Sequence, residues 1–146
     1  MYGSYGCSSG NILKEKVINV ELIIGGFAQG KLNYAASKYK VNEKKIWDGN
    51  IPEDFNDLSG TIIINRLHKW IRKMIDEGKN PEVIINRFID SYKDVVIICD
   101  EIGNGIVPFE QSEREYRDIT GKILIGLAGK ADGVERIICG IAQKIK

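Results

Sequence analysis

Excess charge of one sign is missing from this sequence: 21 lysines and arginines face 20 aspartates and glutamates, a formal net charge of +1. No bulk field draws such a chain to nucleic acid or to an anionic membrane surface. Basic pairs such as Lys44-Lys45 and Arg72-Lys73 are short enough to be ordinary solvated surface. Long hydrophobic runs are also missing, and none approaches the roughly 18 residues that a membrane-spanning helix needs. The first sixteen residues are polar and glycine-rich without an apolar centre, which argues against a secretory signal. Cysteine is sparse: Cys7, Cys99 and Cys139 form an odd set without metal-type spacing. Cys99 and Cys139 each close an apolar, strand-like run, where a thiol behaves as a small hydrophobe. Both are expected in the core, and the protein in a reducing, cytoplasmic setting. There is one histidine, His68, and no internal repeat or low-complexity tract.

What is present suits one core. The 146 residues are 43% hydrophobic and 28% charged, which predicts a flexible leader over 1–16 and a single domain over 17–146. Residues 17–24 read as a strand that becomes continuously apolar, as strands covered on both faces do. A helix is expected over 31–40. Residues 41–60 are rich in turn formers, with 45–47 a candidate edge strand. Thr61-Ile62-Ile63-Ile64 reads as a second buried strand, and Leu67, Trp70, Ile71, Met74 and Ile75 as the inner stripe of a helix over 67–77. Asn80-Pro81 caps the next helix. Residues 95–99 form a third buried strand, ending in Asp100-Glu101. Ser112 with Glu115 reads as a capping box opening a helix with Tyr116, Ile119, Ile123, Leu127 and Ala131 inward. Residues 134–139 close the pattern, with a short strand after 140. Strands alternating with helices imply a three-layer α/β domain with a mainly parallel sheet and right-handed crossovers.

The stretch Gly25-Gly26-Phe27-Ala28-Gln29-Gly30-Lys31-Leu32 sits between the first strand and its helix. It has the layout of a phosphate-binding loop, G-x-x-x-x-G-K-S/T, with the last letter replaced. Glycines let amide N–H groups converge on a phosphate, and the helix dipole and the lysine add positive charge. The hydroxyl that normally holds magnesium is replaced by Leu32, which cannot ligate a metal. The plain alternative for Lys31 is a surface lysine after a tight glycine turn.

The string Glu101-Ile102-Gly103-Asn104-Gly105-Ile106-Val107-Pro108 resembles the N-E-V-G-x-G-I-V-P signature of the adenosylcobinamide kinase/adenosylcobinamide-phosphate guanylyltransferase family. Arg114, Tyr116-Arg117-Asp118, Gly121, Leu127, Ala128, Ala131-Asp132, Val134, Gly140 and Lys144-Ile145-Lys146 follow at that family's spacing. The loop together with Tyr34-Ala35 resembles its G-G-x-x-S-G-K-S-x-x-A start, whereas residues 37–92 match weakly. The resemblance implies a P-loop NTPase fold of the RecA-like kind, a purine nucleotide (GTP or ATP), magnesium and a corrinoid substrate, cobinamide. It also implies a homo-oligomer, a trimer in the family. The implied reactions are phosphorylation of a cobinamide hydroxyl and guanylyl transfer through a guanylylated histidine.

The departures weigh against the second reaction. The family's R-I-x-x-H-x-x-R segment is missing, and Asn65 stands where a carboxylate is frequent. His68 lies on the helix after the second strand, where a partly exposed structural role is expected. The candidate catalytic residues are Lys31 and Glu101, the latter as general base or water-mediated metal partner. The candidate nucleotide site is residues 25–32. Asp100, Gly103, Gly105, Arg114 and Arg117 are candidates for substrate contact or support, with surface ion pairing the alternative for the two arginines. Trp47 and Trp70 are expected to pack. Two readings from other classes remain: a non-catalytic nucleotide- or corrinoid-binding protein, and an oligomeric scaffold with an empty loop.

Overall fold

A computed structural model describes residues 19–102 and 110–146 of the chain. The expected leader, and with it Cys7, lies outside the described residues, as do Gly103 and Gly105. The elements in chain order are β1 (Asn19–Gly25), α1 (Lys31–Tyr39), β2 (Ile46–Asp48), β3 (Ile62–Asn65), α2 (Leu67–Asp76), α3 (Pro81–Ser91), β4 (Asp94–Asp100), α4 (Gln111–Lys130), β5 (Gly133–Ile138) and β6 (Ile141–Lys144). The strands form one sheet in the order β2-β3-β4-β1-β5-β6. All neighbours are parallel except β6, which returns antiparallel to β5. This is the mainly parallel α/β sheet expected from the alternation of elements.

Alternation along the strands divides the core between the two faces of the sheet. Leu22, Ile62, Ile64, Val95, Ile97, Cys99 and Val134 pack with Trp70, Ile71, Phe88, Ile89, Ile123 and Leu127 of α2, α3 and α4. Ile23, Ile63, Val96, Ile98 and Ile137 point to the other face, under Ala35 of α1 and Val41. Each central strand therefore buries both sets of side chains, which is why β3 and β4 read as unbroken apolar runs. Cys99 is buried, and its burial pushes the thiol up to about 12.

Local signals set most boundaries. Asn80 caps α3, its side chain accepting from the N–H groups of Glu82 and Val83, with Pro81 in the first turn. Gly78, at φ 75, follows α2 and donates to the Ile75 carbonyl. The edge strand expected at 45–47 forms one residue later, as Ile46–Asp48. Two expectations need correction. The Ser112–Glu115 capping box does not form: α4 begins two residues earlier than that box requires, at Gln111, with Glu110 at the N-cap position and no side-chain cap. Ser112 is thus already helical, and its hydroxyl is in the wrong place to cap. Cys139 is exposed rather than core, because it turns the chain between β5 and β6 at φ 52. An apolar run ending at a hairpin carries its last side chain out of the sheet.

Trp70 is 2% exposed and lies between the sheet and the neighbouring helices. Replacing it by alanine leaves a large void. Trp70→Ala is expected to lower unfolding stability by about 3–5 kcal/mol, read as a lowered urea midpoint.

Candidate phosphate-binding site

Strand β1 runs between β4 and β5, and its last residue, Gly25, pairs across from Asp100 on one side and Ile137 on the other. A β-carbon at Gly25 would stand 2.6 Å from the Ile137 carbonyl oxygen, so this neighbour-crowded position admits only glycine. The chain then turns through residues 26–30, with Ala28 at φ 57 and Gly30 at φ 86. Gly30 is the N-cap of α1, and its carbonyl accepts the Tyr34 N–H at 3.0 Å. No side chain caps this helix, and its first turn holds no acidic residue. The turn after β5 clamps the loop from behind: the N–H groups of Cys139 and Gly140 donate to Oε1 and O of Gln29, at 2.6 and 2.9 Å.

The facing wall is built where β3 ends. Asn65 is buried, and Arg66 adopts the left-handed conformation, φ 54, as it starts α2. Asp48, at the end of edge strand β2, grips both. It accepts from Asn65 Nδ2 at 3.0 Å and Arg66 Nε at 2.6 Å, and pairs with the second guanidinium nitrogen. The Arg66 contact holds the Asp48 carboxyl below its usual range. His68 and Lys69 follow on the first turn of α2. Between the walls lies a pocket of about 280 Å³ lined by residues 27–33, Asn65, Arg66, His68, Lys69 and Asp100.

At its base, Lys31 is only 6% exposed, with Nζ 2.8 Å from Asp100 Oδ1 and donating to the Gly26 carbonyl. His68 Nδ1 accepts the Asp100 N–H at 3.3 Å, which leaves the neutral ring's proton on Nε2, 3.5 Å from Asp100 Oδ2. Burial pushes the His68 pKa down. The Asp100 carboxylate opposes this, while Lys69, Lys31 and Arg66 reinforce it.

Of the residues expected at a site, 27–32 line the pocket and Gly25 and Gly26 lead into it. Phe27 is 84% exposed on its wall. Leu32 is half-buried and packs on the core beneath α1. Asp100, weighed below Glu101 in the sequence, is the carboxylate that reaches Lys31. Glu101 instead accepts from Arg136 Nε at 2.8 Å and is not part of the pocket wall. Arg114 and Arg117 on α4 do not line the pocket either. It is Arg72 that takes Glu113, through two hydrogen bonds of 2.7 and 2.8 Å, with its guanidinium over Tyr116. His68 is not a partly exposed surface histidine: it is 9% exposed and lines the pocket. Arg66 and Lys69 escaped the sequence reading. The available signal was that they follow a buried parallel strand, whose carboxyl end is where such sheets place ligands.

Magnesium, implied by the resemblance, does not fit these residues well. It favours oxygen donors, commonly one or two carboxylates together with substrate phosphates. The hydroxyl position is apolar Leu32. The one carboxylate on the pocket wall, Asp100, is held by Lys31, and neighbouring Glu101 by Arg136. No cluster of three or more His, Cys, Asp or Glu side chains that could hold a metal occurs among the described residues.

The depressed His68 pKa sets a pH dependence. The unfolded chain takes up the proton first as pH falls below about 6.5, so the folded state loses stability there and regains it as pH rises. With one histidine in the chain, the urea midpoint should fall between neutral pH and about pH 5.5, and His68→Gln should flatten that slope.

The family described as "Cobinamide kinase / cobinamide phosphate guanyltransferase" matches residues 37–145, from the last turn of α1 onward. That range includes 37–92, where the motif resemblance is weak. The "Bifunctional adenosylcobalamin biosynthesis protein CobU" of Salmonella typhimurium is 44% identical over 52 residues, 36% of this chain and 29% of that protein. The Escherichia coli protein of the same name is 42% identical over 52 residues, with the same coverage of each. The matched stretch therefore spans less than a third of either relative. The loop precedes the family match, so its assignment rests on its own pattern and geometry. From α1 to its last strand, this chain belongs to the cobinamide kinase/cobinamide phosphate guanyltransferase family.

Proposed function

We propose that the chain binds the phosphates of a purine nucleoside triphosphate, ATP or GTP, in the pocket between residues 25–32 and the start of α2. The observation that carries this reading is Lys31, buried at the base of that pocket and set beside a loop whose helix has no side-chain cap. A phosphate entering there would compete with Asp100 for the ammonium and accept N–H groups of the loop and the uncapped first turn. Phe27, exposed on the same wall, offers an aromatic surface to a base.

If a reaction follows, it is phosphorylation. The cobinamide hydroxyl would attack the γ-phosphorus, the bond to the β-phosphate oxygen would break, and the hydroxyl proton would pass to a carboxylate or water. Asp100, once released by Lys31, is closer to this step than Glu101. Such chemistry needs positioning and charge neutralisation rather than a covalent intermediate. Guanylylation needs a nucleophilic histidine lone pair. In His68 the Nδ1 lone pair accepts the Asp100 N–H and Nε2 carries the proton. This supports loss of the guanylyltransferase step. Self-association as a homo-oligomer belongs to the same reading.

A second reading, binding without catalysis, is favoured by Leu32 at the metal-holding position. Titrations of ATP and GTP, followed by Trp47 and Trp70 fluorescence, test binding. Trp47 adjoins Asp48, which grips Arg66 on the pocket wall. Lys31→Ala should weaken binding roughly tenfold or more, the scale of a lost charge-assisted hydrogen bond; an unchanged titration would leave an empty-loop scaffold. Incubation with cobinamide and labelled GTP then reads chemistry. Kinase activity moves γ-label to cobinamide. Binding alone moves none, and stable α-label on the protein would overturn the loss of guanylylation.

A further inference from the structure

Three cations surround the pocket from different elements. Lys31 rises from α1, Arg66 stands at the junction of β3 and α2, and Lys69 lies one turn along α2. One carboxylate, Asp100, shares the space, and Lys31 already neutralises it. The remaining two cations are contributed by the wall opposite the loop. Arg66 is held in place twice over. Its backbone is fixed in the left-handed conformation, and Asp48 takes its guanidinium from the edge-strand side. Its position is therefore prepared before any ligand arrives, and its side chain is still 43% exposed. Lys69 is exposed and mobile enough to follow a phosphate.

A metal-dependent site would need oxygen donors at this pocket. Leu32 gives none, and the carboxylates in and beside the pocket, Asp100, Asp48 and Glu101, are each held by a cation of the protein. A triphosphate carrying magnesium would arrive with part of its negative charge already cancelled, and would find no uncommitted carboxylate here among the described residues to complete the metal's shell. An unchelated triphosphate brings its full negative charge to Lys31, Arg66 and Lys69. Resting on the phosphate-binding reading above, we infer that this pocket takes its polyphosphate ligand without a divalent metal, with Arg66 and Lys69 occupying the charge-neutralising role opposite Lys31.

The test uses inorganic tripolyphosphate and ATP, titrated calorimetrically into the full chain in EDTA and again in excess magnesium. Binding in EDTA at least as tight as in magnesium is expected. Arg66→Gln and Lys69→Gln should each weaken the EDTA titration by about tenfold. Lys69 is exposed, so its variant keeps the test valid if loss of the Arg66–Asp48 pair disturbs the fold. Binding that appears only with magnesium, and disappears in Lys31→Ala, overturns the inference but keeps the phosphate site. Unchanged EDTA binding in Lys69→Gln and in a folded Arg66→Gln also overturns it. Absence of binding under both conditions removes the phosphate-binding reading together with the inference.

Discussion

The register between β1 and β4 is the constraint on which the rest of the site depends. It sets Gly25 across from Asp100 and lets Glu101 donate its N–H to the Gly25 carbonyl at 2.8 Å. The loop can then depart from β1 only beside the end of β4, and Lys31, returning on α1, meets Asp100. A parallel register cannot slip by one residue here, because each strand buries both faces and a slip would invert every side chain. Ile23 and Ile98 would change places with Leu22 and Cys99 between two different cores. The apolar packing of the sheet thus fixes the geometry of a charged pair that it does not touch.

That pair is a poor source of stability. Taking an ammonium and a carboxylate out of water costs several kcal/mol per ion, and their attraction offsets this only with good geometry. Lys31 and Asp100 are nevertheless held at 2.8 Å, with Asp100 also beside His68. In the phosphate-binding reading proposed above, an incoming anion would take over one partner of this cluster without desolvating a new cation. The neighbouring Asp48–Arg66 pair stands on the opposite wall in a more exposed position.

Much of this was legible in the chain. The unbroken apolar runs at 62–64 and 95–99 could only be strands covered on both faces, and Asn80-Pro81 marked a helix start by capping chemistry alone. The loop was legible from glycine spacing. The capping box at Ser112 failed because a four-residue pattern does not say which turn of a helix it occupies; the backbone before Gln111 decided that. Cys139 failed because apolar composition does not distinguish the end of a buried strand from the residue that turns out of it. His68 and Asp100 were underweighted for one shared reason. They are 32 residues apart, and their contact exists only because β3 and β4 are neighbours.

The sequence by itself determined the alternation of elements, the two-sided burial of the central strands, the lysine-bearing glycine loop and the apolar Leu32 after its lysine. Each follows from local chemistry: side-chain periodicity, the conformational freedom of glycine, and the donor atoms a side chain carries. Tertiary structure alone decided the strand order, and with it which carboxylate faces Lys31, where the lone histidine lies, and that Arg66 and Lys69 close the pocket. Those outcomes depend on pairing between distant segments. Pairing is chosen by the packing of the whole sheet rather than by any short stretch within it.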